Sequence, residues 1–445
     1  MPEKIYDLIV IGGGSAGIST AIRSSANGAD VLLIEKNLLG GTCVNYGCMP
    51  KKLCHIISDH KYRSEALSSD IIYGDCEIDW KRFTEMRNAY ISRLNNIYYT
   101  KLKSSGVNVI HDYAVLVGGG AVEVSGRTIR GKNILLGTGS KPIRLNIPGS
   151  EFIKTSDDFF LLNHIPKKLV IIGTGYIAAE LAFIIRSMGG EVILIGISET
   201  VLENFDPLIS ERVANELKIK GCELILGANT EKIIKEETGY TVITDICKIE
   251  DVEMIIGAIG RYCTFEYSKV PFAQNKSFLR VDDFFMTSVP NVYAVGDVIG
   301  PKNMLTPVAI FCGRKLADHL FKKKESSLIK KYEIFEYVPT AVFTNPPCAM
   351  VGYTEPQARK LFNEVEIHQS EFVNSFFSLC DNKEKSVFKI IVGDGRVVGL
   401  HLFGVGSDEI IQGFAVAIKK GITYEDIKNT IGVHPTAAEE VVTMK

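Results

Sequence analysis

Two cysteines five positions apart are the first residues of this sequence whose types could do chemistry. Cys43 and Cys48 lie in the stretch GGTCVNYGCMPKK, residues 40–52 of 445. They could form a structural disulfide, half of a metal site or a redox pair. The chain opens on MPEKIYDLIVIGGG, which is typical of a strand and not of a signal peptide, so its ten cysteines favour a reducing, cytoplasmic compartment over a disulfide scaffold. No second Cys or His pair with zinc spacing is present in the sequence. We therefore favour the redox pair and expect no metal site.

The spacing of the two cysteines restricts the backbone between them. On an ideal helix, Cα atoms five residues apart are roughly 8–9 Å from each other, whereas a disulfide needs roughly 4.4–6.8 Å. A bridge is therefore expected only where a helix is distorted or just beginning, and Gly47 and Pro50 provide that irregularity. A strained, accessible bridge is easily reduced, which suits catalysis. Lys51 could lower the pKa of a thiol here, and for Lys52 we favour a solvated side chain.

The start of the chain has the pattern of a dinucleotide-binding unit. A strand is predicted from Tyr6 to Ile11, followed by GGGSAG, a helix and a second strand that ends on Glu35. In this pattern Gly12 permits the tight turn, Gly14 lets the backbone approach a pyrophosphate, and Gly17 allows the helix to pack closely on the strand. A carboxylate at Glu35 is placed to accept hydrogen bonds from a ribose.

The same pattern recurs later, in KKLVIIGTGYIAAELAFIIRSMGGEVILIG. Gly173 and Gly175 take the places of the first two glycines, and Ala178 replaces the third. Two such units in one chain suggest electron transfer between two dinucleotides, commonly a flavin and a nicotinamide. A further segment, SVPNVYAVGDVIG, predicts a strand that ends near Asp297, whose acid could bind a sugar hydroxyl.

The composition excludes some classes of partner. The formal net charge is -2 and 46% of the residues are hydrophobic, so neither a nucleic-acid nor an anionic membrane partner is expected. No apolar run reaches the roughly 18 residues that a membrane-spanning helix needs.

Several motifs together resemble the flavoprotein disulfide reductases, also called pyridine nucleotide-disulfide oxidoreductases. They are GGTCVNYGCMPKK, GGGSAG and HPTAAEEVVTMK, with GTGS, GTGYIAAELA, AIGR, VGD, LTPVAIFCGRKLA and FTNPPCAMVGYTE in the family's order. The resemblance implies an α/β fold with two Rossmann-like dinucleotide-binding domains and a C-terminal α+β dimerisation domain. The implied domains are an FAD-binding domain with the redox disulfide at 1–145, an NAD(P)H-binding domain at 146–264, a central domain completing the FAD site at 265–331, and an interface domain at 332–445.

Within the family the chain is most similar to the enzymes that use NADPH and FAD to reduce glutathione disulfide. The resemblance implies that Cys48 lies nearest the flavin and Cys43 attacks the substrate. His434 would be the general acid/base, oriented by Glu439. A homodimer is implied, with the His434 segment completing the site of the other chain.

Other positions match residues with known roles in the family. Lys51 would lie by the flavin, paired with Glu180, and Tyr176 would gate the nicotinamide pocket. The matched cofactor-binding positions are Gly12, Gly14, Ser15, Gly17, Glu35, Thr42, Gly139, Asp297, Thr306, Gly173, Gly175, Tyr176, Ile177, Ser198 and Arg261. The matched substrate-binding positions are Ser15, Ser19, Tyr98 and Arg314.

The implied substrate depends on a few of these positions. Arg314 suits a glutathione carboxylate because a guanidinium binds it bidentately. Tyr98, in preference to Tyr99, would lie between the two glutathione halves. Ser19 and Ile22 lack the acidic and Trp replacements of trypanothione reductases, although some members that reduce glutathione disulfide have Arg at the position of Ile22. The alternatives are another small-disulfide reductase or a dihydrolipoamide dehydrogenase, in which Ser typically replaces Lys52. A redox-inactive flavoprotein that serves as a binding module would not need Cys43, Cys48 and His434 together.

The sequence gives a weaker indication of whether the enzyme prefers NADPH or NADH. After VILIG the NADPH enzymes of the family carry arginines for the 2′-phosphate, whereas this chain has Ile197, Ser198 and, further on, Glu203. Gly196 stands where an NADH enzyme carries an acid. We therefore expect a shallow preference for NADPH, with NADH also possible.

Overall fold

The computed structural model describes residues 4–67, 76–118, 120–301, 304–322, 334–380 and 382–444. The chain divides into two compact units. The fold class is α/β, as predicted, whereas the division into four domains stays a prediction. The first unit comprises Met1–Lys51, Thr84–Ile143 and Arg261–Glu336, and the second comprises Lys52–Phe83, Arg144–Gly260 and Tyr337–Lys445.

The first unit is built on a sheet with the strand order β3-β2-β1-β6-β5-β4, and β19 also pairs with β6. Strands β1, β2, β3, β6 and β19 run parallel, and β4 and β5 continue the sheet antiparallel. The apolar runs IYDLIVI and VLLIE form β1 and β2 because strands at the centre of a parallel sheet are covered on both faces. The strands of this unit are β1 (Ile5–Ile11), β2 (Val31–Glu35), β3 (Asn108–His111), β4 (Ala114–Gly118), β5 (Ala121–Val124), β6 (Arg127–Leu136), β7 (Lys141–Pro142), β16 (Arg261–Tyr262), β17 (Gln274–Asn275), β18 (Phe278–Leu279) and β19 (Val292–Ala294).

Two helices of the first unit cross closely, α1 (Ser15–Ala26) and α8 (Thr306–Phe321). At the crossing, a Cβ on Gly313 would lie 2.4 Å from the Thr20 hydroxyl oxygen, so only glycine fits. Beyond it, Arg23 binds Asp318 bidentately, with Nε–Oδ1 at 2.6 Å and Nη2–Oδ2 at 3.0 Å. The ion pair and the close contact set the position of α8 against α1. The other helices of this part of the chain are α2 (Gly41–Asn45), α3 (Cys48–Ala66) and α4 (Trp80–Ser104), and a 3₁₀ turn covers Asp297–Ile299.

The second unit contains a parallel sheet with the order β11-β10-β9-β15-β8 and a separate antiparallel ribbon, β12-β13-β14. Helix α6 follows the second glycine loop, and its residues Ala178 to Ile185 are all buried. Helix α7 is capped by Asp206, which accepts a hydrogen bond from the Leu208 amide at 3.1 Å. These elements are β8 (Lys154–Thr155), α5 (Ser156–Phe159), β9 (Lys168–Ile172), α6 (Tyr176–Ser187), β10 (Glu191–Gly196), α7 (Pro207–Ile219), β11 (Glu223–Leu226), β12 (Thr230–Lys235), β13 (Tyr240–Thr244), β14 (Lys248–Val252) and β15 (Met254–Gly257).

The C-terminal part of the second unit is an antiparallel sheet with the order β20-β21-β24-β23-β22. The buried Lys389 of this sheet forms ion pairs with Asp206 at 2.9 Å and Glu355 at 2.6 Å. The sheet and its helices are thereby joined to the cap of α7. The elements are β20 (Thr340–Val342), β21 (Cys348–Gly352), α9 (Glu355–Leu361), β22 (Val365–Val373), β23 (Lys385–Gly393), β24 (Arg396–Phe403), α10 (Ser407–Lys419), α11 (Tyr424–Lys428) and α12 (Glu439–Val442), with a 3₁₀ turn at Ser375–Leu379. Another 3₁₀ turn of the second unit, Ser150–Phe152, precedes β8.

Neither a membrane span nor a metal centre is found in the parts of the chain that the structure describes. None of the helices there is both long and apolar enough to cross a bilayer. Over the same residues, His, Cys, Asp and Glu side chains are not grouped in threes or more for a metal ion.

Candidate active site

The first glycine loop joins β1 to α1 with its backbone packed tightly. Gly12 has φ = 106°, and a Cβ there would lie 2.4 Å from the Gly137 oxygen. A Cβ on Gly17 would lie 1.9 Å from the Gly12 oxygen. By contrast, a Cβ on Gly14 would meet nothing nearer than 3.8 Å, so this side of the loop is open. Glu35, at the end of β2, accepts a hydrogen bond from the Gly13 amide at 2.5 Å, which brings its carboxylate to the loop.

A second turn packs against this loop and carries the first cysteine. Gly40 and Gly41 have φ values of 97° and 60°. The Gly40 amide donates to the Gly13 oxygen at 2.8 Å, and a Cβ on Gly41 would lie 2.8 Å from the Gly14 Cα. Any side chain at position 41 would clash with Gly14, so glycine is needed for the turn to approach the loop this closely. The turn thereby brings the segment with Cys43 beside the start of α1.

Two asparagines form hydrogen bonds with the backbone of this turn. Asn45 donates to the carbonyls of Leu39 at 3.2 Å and Gly41 at 2.9 Å. Asn95, on α4, donates to the Leu39 carbonyl at 2.7 Å and to Asn45 Oδ1 at 3.0 Å. Sequence reasoning missed both residues, because an Asn in a loop or a helix has no periodic signature.

The cysteine pair spans the break between two helices. Cys43 lies in α2, which ends at Asn45, and α3 begins at Cys48. This confirms that the pair sits where a helix is only beginning. Both residues are thiols in this structure. The bridge that the resemblance implies therefore stays a prediction.

Hydroxyl groups and a helix terminus surround the pair. The Thr306 hydroxyl, on the first residue of α8, lies 3.5 Å from Cys48 Sγ. The pKa of the Cys43 thiol is raised, first by its hydrogen bond with Cys48, then by burial and by the negative charge of Cys48. Hydrogen bonds from Thr306 and Ser15 act in the opposite direction. The positive N-terminal end of α8 favours one negative charge on the two cysteines. The interaction between the two sulfur atoms opposes a second negative charge.

All four predicted substrate residues, Ser15, Ser19, Tyr98 and Arg314, lie in the same unit as the cysteines. Tyr98, on α4, is half-buried, and its pKa is raised by burial and then by the negative charge of Cys43. The built Cβ of Gly313 lies 2.8 Å from the Ser19 hydroxyl oxygen, so Ser19 lies at the crossing of α1 and α8. Arg314 is the next residue of α8 and is exposed. The fold therefore gathers a thiol pair, a phenol and a guanidinium in one unit.

The GTGS segment and the VGD segment meet in the first unit. The Ser140 hydroxyl donates to Asp297 at 2.7 Å, and the Cys263 thiol donates to the Gly139 carbonyl at 3.3 Å. Burial raises the pKa of Cys263 to about 12, with a further increase from the Asp297 charge. Arg261 donates from Nε and Nη2 to the hydroxyl and carbonyl of Ser140, at 2.8 and 2.9 Å. The predicted contact of Arg261 with the nicotinamide nucleotide stays a prediction.

The second glycine loop joins β9 to α6. Gly173 has φ = 126°, and a Cβ there would lie 2.3 Å from the Ala258 oxygen. A Cβ on Gly175 would meet nothing within 4 Å, so the loop is open at that point. Tyr176 and Ile177, both predicted to contact the nucleotide, form the first turn of α6.

The end of β10 is closed to a side chain. A Cβ on Gly196 would lie 2.5 Å from Thr174 Cγ2, which gives a steric reason for the absence of the acid that marks NADH enzymes. Ile197 is 80% exposed, and Ser198 accepts a long hydrogen bond from the Thr200 amide at 3.4 Å.

Glu180 lies in the second unit, on α6, and Lys51 lies in the first unit, on α3. Glu180 is 5% exposed and accepts a hydrogen bond from the Phe343 amide at 2.9 Å. The pairing of Lys51 with Glu180 stays a prediction. The expectation of a solvated Lys52 is wrong, because its ammonium lies 3.9 Å above the Phe343 ring and 3.4 Å from an Asp408 oxygen.

The predicted acid/base lies near the C-terminus, in the second unit. His434 Nδ1 lies 2.9 Å from Glu439 Oε2 and 3.1 Å from Oε1. With Glu439 ionised, Nδ1 carries the hydrogen and donates it, which leaves Nε2 to exchange a proton. The His434 side chain is 80% exposed. Two neighbouring apolar residues, Ile431 and Val433, are also strongly exposed.

Comparison with known proteins gives consistent matches over nearly the whole chain. The family profile described as pyridine nucleotide-disulphide oxidoreductase matches residues 6–313, and its dimerisation-domain profile matches residues 338–445. The chain is 36% identical to a glutathione reductase of Yarrowia lipolytica (strain CLIB 122 / E 150) over 468 residues, which cover 99% of both proteins. Among solved structures, it is similar to the HOCl-induced flavoprotein disulfide reductase RclA from Escherichia coli, with a TM-score of 0.87, 26% identity and 98% of each chain covered.

Proposed function

We propose that this chain, which belongs to the pyridine nucleotide-disulphide oxidoreductase family, is an FAD-dependent enzyme that reduces glutathione disulfide with NADPH. The observation that carries the proposal is the cysteine pair at the start of α8, in the same unit as Tyr98, Ser19 and Arg314. The 36% identical relative named glutathione reductase supports the choice of substrate.

The first glycine loop fits FAD. The open position at Gly14 and the start of α1, which has no acidic residue in its first turn and no side-chain cap, suit a pyrophosphate. The carboxylate of Glu35, which reaches the loop, suits a ribose hydroxyl, and Asp297, which accepts a hydrogen bond from Ser140, suits a second sugar hydroxyl. Bound FAD would supply a carrier of two electrons between the nicotinamide and the cysteine pair.

The cysteines carry out thiol–disulfide exchange. The Cys43 thiolate attacks one sulfur of the substrate, so that a mixed disulfide forms and one glutathione leaves as a thiolate that must be protonated. The Cys48 thiolate then attacks Cys43 Sγ, which releases the second glutathione and forms the Cys43–Cys48 disulfide. Each turnover therefore oxidises two thiols to one disulfide, and the two electrons of NADPH restore them.

His434 is the proposed acid/base of this exchange. A histidine can take the Cys43 proton and give it to the departing thiolate, because its residue type exchanges protons near neutral pH. Glu439 fixes the ring, and the exposed Ile431 and Val433 beside it suit burial against another subunit. We propose a homodimer in which this segment completes the site of the partner.

NADPH is the proposed donor, with a shallow preference over NADH of about tenfold. The second glycine loop fits a dinucleotide at its open position, Gly175. Residues 197–205, ISETVLENF, contain no basic residue for a 2′-phosphate, and each missing charge-assisted contact costs about 1.5–3 kcal/mol. The Thr174 side chain leaves no room for an acidic residue at position 196, where NADH enzymes carry one. The chain therefore lacks both the basic residues that would favour NADPH and the acid that would favour NADH. A chain with ten cysteines suits a reducing compartment, and we propose a cytoplasmic location.

A substrate screen tests the proposal. Purified FAD-loaded protein is assayed with glutathione disulfide, lipoamide and thioredoxin, each with NADPH and with NADH. We expect the fastest turnover with glutathione disulfide and NADPH, and none for Cys43→Ser. Faster turnover of lipoamide with NADH would instead identify a dihydrolipoamide dehydrogenase, and activity on none of the three would reject glutathione disulfide as the substrate.

A further inference from the structure

Lys52 follows the proposed flavin lysine, Lys51, on α3, yet its ammonium has two partners inside the second unit. It lies 3.9 Å above the centre of the Phe343 ring and 3.4 Å from Asp408 Oδ2, in the first turn of α10. A cation over the face of an aromatic ring is attracted by the ring quadrupole. Asp408 pairs with the same ammonium, so it helps to hold Lys52 over the ring.

The segment that contains Phe343 is bound to α3 at a second point. The side-chain amide of Asn345 donates to the Ser58 hydroxyl at 3.1 Å, and both residues are fully buried. His55, also on α3, packs its ring against Phe343 with centroids 5.5 Å apart. The side chains of Phe343 and Asn345 therefore hold this segment against α3.

The backbone of the same segment faces Glu180. The Phe343 amide donates to Glu180 Oε1 at 2.9 Å, and Glu180 is buried. Removing a carboxylate from water is unfavourable unless hydrogen bonds replace the lost hydration. The direction of this amide therefore helps to set where the Glu180 carboxylate lies, and the amide belongs to the residue whose ring lies under Lys52.

We propose that Lys52 is a positioning residue: by holding the Phe343 ring, it aims the Phe343 amide at Glu180 and so places the Glu180 carboxylate for reduction of the flavin by the nicotinamide. This rests on the proposed function, and on the pairing of Lys51 with Glu180 beside the flavin that the family resemblance implies.

The test compares three variants of the full-length, FAD-loaded protein. Lys52→Met keeps the length of the side chain without its charge, Lys52→Arg keeps a cation for the ring, and Lys61→Met removes a cation elsewhere on α3, where it pairs with Glu65. The first measurement, independent of activity, is hydrogen–deuterium exchange of the peptide that contains the Phe343 amide. The second is the stopped-flow rate of flavin reduction by NADPH, beside the rate of reoxidation by glutathione disulfide.

We expect Lys52→Met to speed exchange at Phe343 and to slow flavin reduction by about tenfold, the effect of losing a cation–π contact of intermediate strength, with reoxidation unchanged. Lys52→Arg should restore both, and Lys61→Met should match the wild type. The proposal is overturned if Lys52→Met leaves the Phe343 amide protected, if it exposes the amide without slowing flavin reduction, or if it slows both half-reactions equally. A wild-type protein whose flavin neither nucleotide reduces would instead reject the proposed function.

Discussion

A buried pair of carboxylates in the second unit should make the protein less stable as the pH rises. Glu216, on α7, is 9% exposed, and its Oε2 lies 3.9 Å from the Lys220 ammonium. The same ammonium lies 3.8 Å from Glu384, whose carboxylate also accepts a hydrogen bond from the Tyr62 hydroxyl. Burial and then the charge of Glu384 raise the pKa of Glu216 to about 7, although Lys220 and Arg212 oppose the increase.

The size of the effect follows from linkage between proton binding and folding. Because the pKa of Glu216 in the folded protein, about 7, lies above its ordinary value of 4.5, the folded state binds more protons than the unfolded state between those values. The free energy of unfolding therefore falls as the pH rises from about 4.5 to about 7 and stays low above that. At about 1.4 kcal/mol for each tenfold change in proton affinity, Glu216→Gln should stabilise the protein by about 3 kcal/mol at pH 8 and by about 1 kcal/mol at pH 5.

The assay is equilibrium urea unfolding followed by tryptophan fluorescence at pH 5, 6, 7 and 8. The single tryptophan of the chain, Trp80, belongs to the second unit, is buried, and donates to the Leu162 carbonyl at 3.3 Å. Its emission therefore reports the unit that contains Glu216. Glu211→Gln is the matched control, since this exposed glutamate lies on the same helix. A gain that does not change with pH, or a loss of stability at pH 8, would refute the electrostatic argument.

Three further predictions concern the proposed reaction. Reduction of the wild type should give a long-wavelength charge-transfer absorption that Cys48→Ser abolishes and Cys43→Ser retains, and the opposite pattern would mean that the two roles are reversed. Ile197→Arg should lower KM for NADPH by about tenfold or more, as one charge-assisted contact allows, with KM for NADH unchanged; equal effects on both nucleotides would place the side chain away from the 2′-phosphate. Mixing inactive Cys43→Ser with inactive His434→Ala should restore activity towards half of wild type per mixed dimer, because one of its two sites then has neither change. If mass spectrometry confirms subunit exchange and no activity returns, His434 acts within its own chain.

The elements that carry a local signature were predictable from the sequence. The first strand, predicted as Tyr6 to Ile11, is observed as Ile5–Ile11, and the second ends on Glu35 as predicted. Hydrophobic periodicity predicts the strands, and glycine spacing predicts the loop between β1 and α1. Both signals work because the turn and its close packing depend on residues that are near one another in the sequence. The break between the cysteines was predictable for the same reason, from Gly47 and Pro50.

The side-chain contacts between distant segments were not predictable. In the sequence, Lys52 resembles a surface lysine. In the fold, its ammonium lies over the ring of Phe343, a residue 291 positions further along the chain. Asn95 reads as a polar residue on a helix surface, yet it binds a carbonyl 56 residues earlier in the sequence. Such partners have no fixed spacing, so only the tertiary structure can pair them.

The electrostatics of the cysteine pair explain why the proposed reaction needs a base from another part of the protein. The start of α8 and the Thr306 hydroxyl favour a negative charge on Cys48, and that charge, with the hydrogen bond between the thiols and burial, holds the proton on Cys43. The same arrangement that stabilises a Cys48 thiolate therefore deactivates Cys43, the thiol that attacks the substrate in the proposed reaction. Removing the Cys43 proton requires a group that does not share this charge, can reach the pair from solvent and returns the proton to the leaving thiolate. An exposed imidazole whose Nδ1 is held by Glu439 has these properties at Nε2, which supports the choice of His434 over any residue of the helices that build the pair.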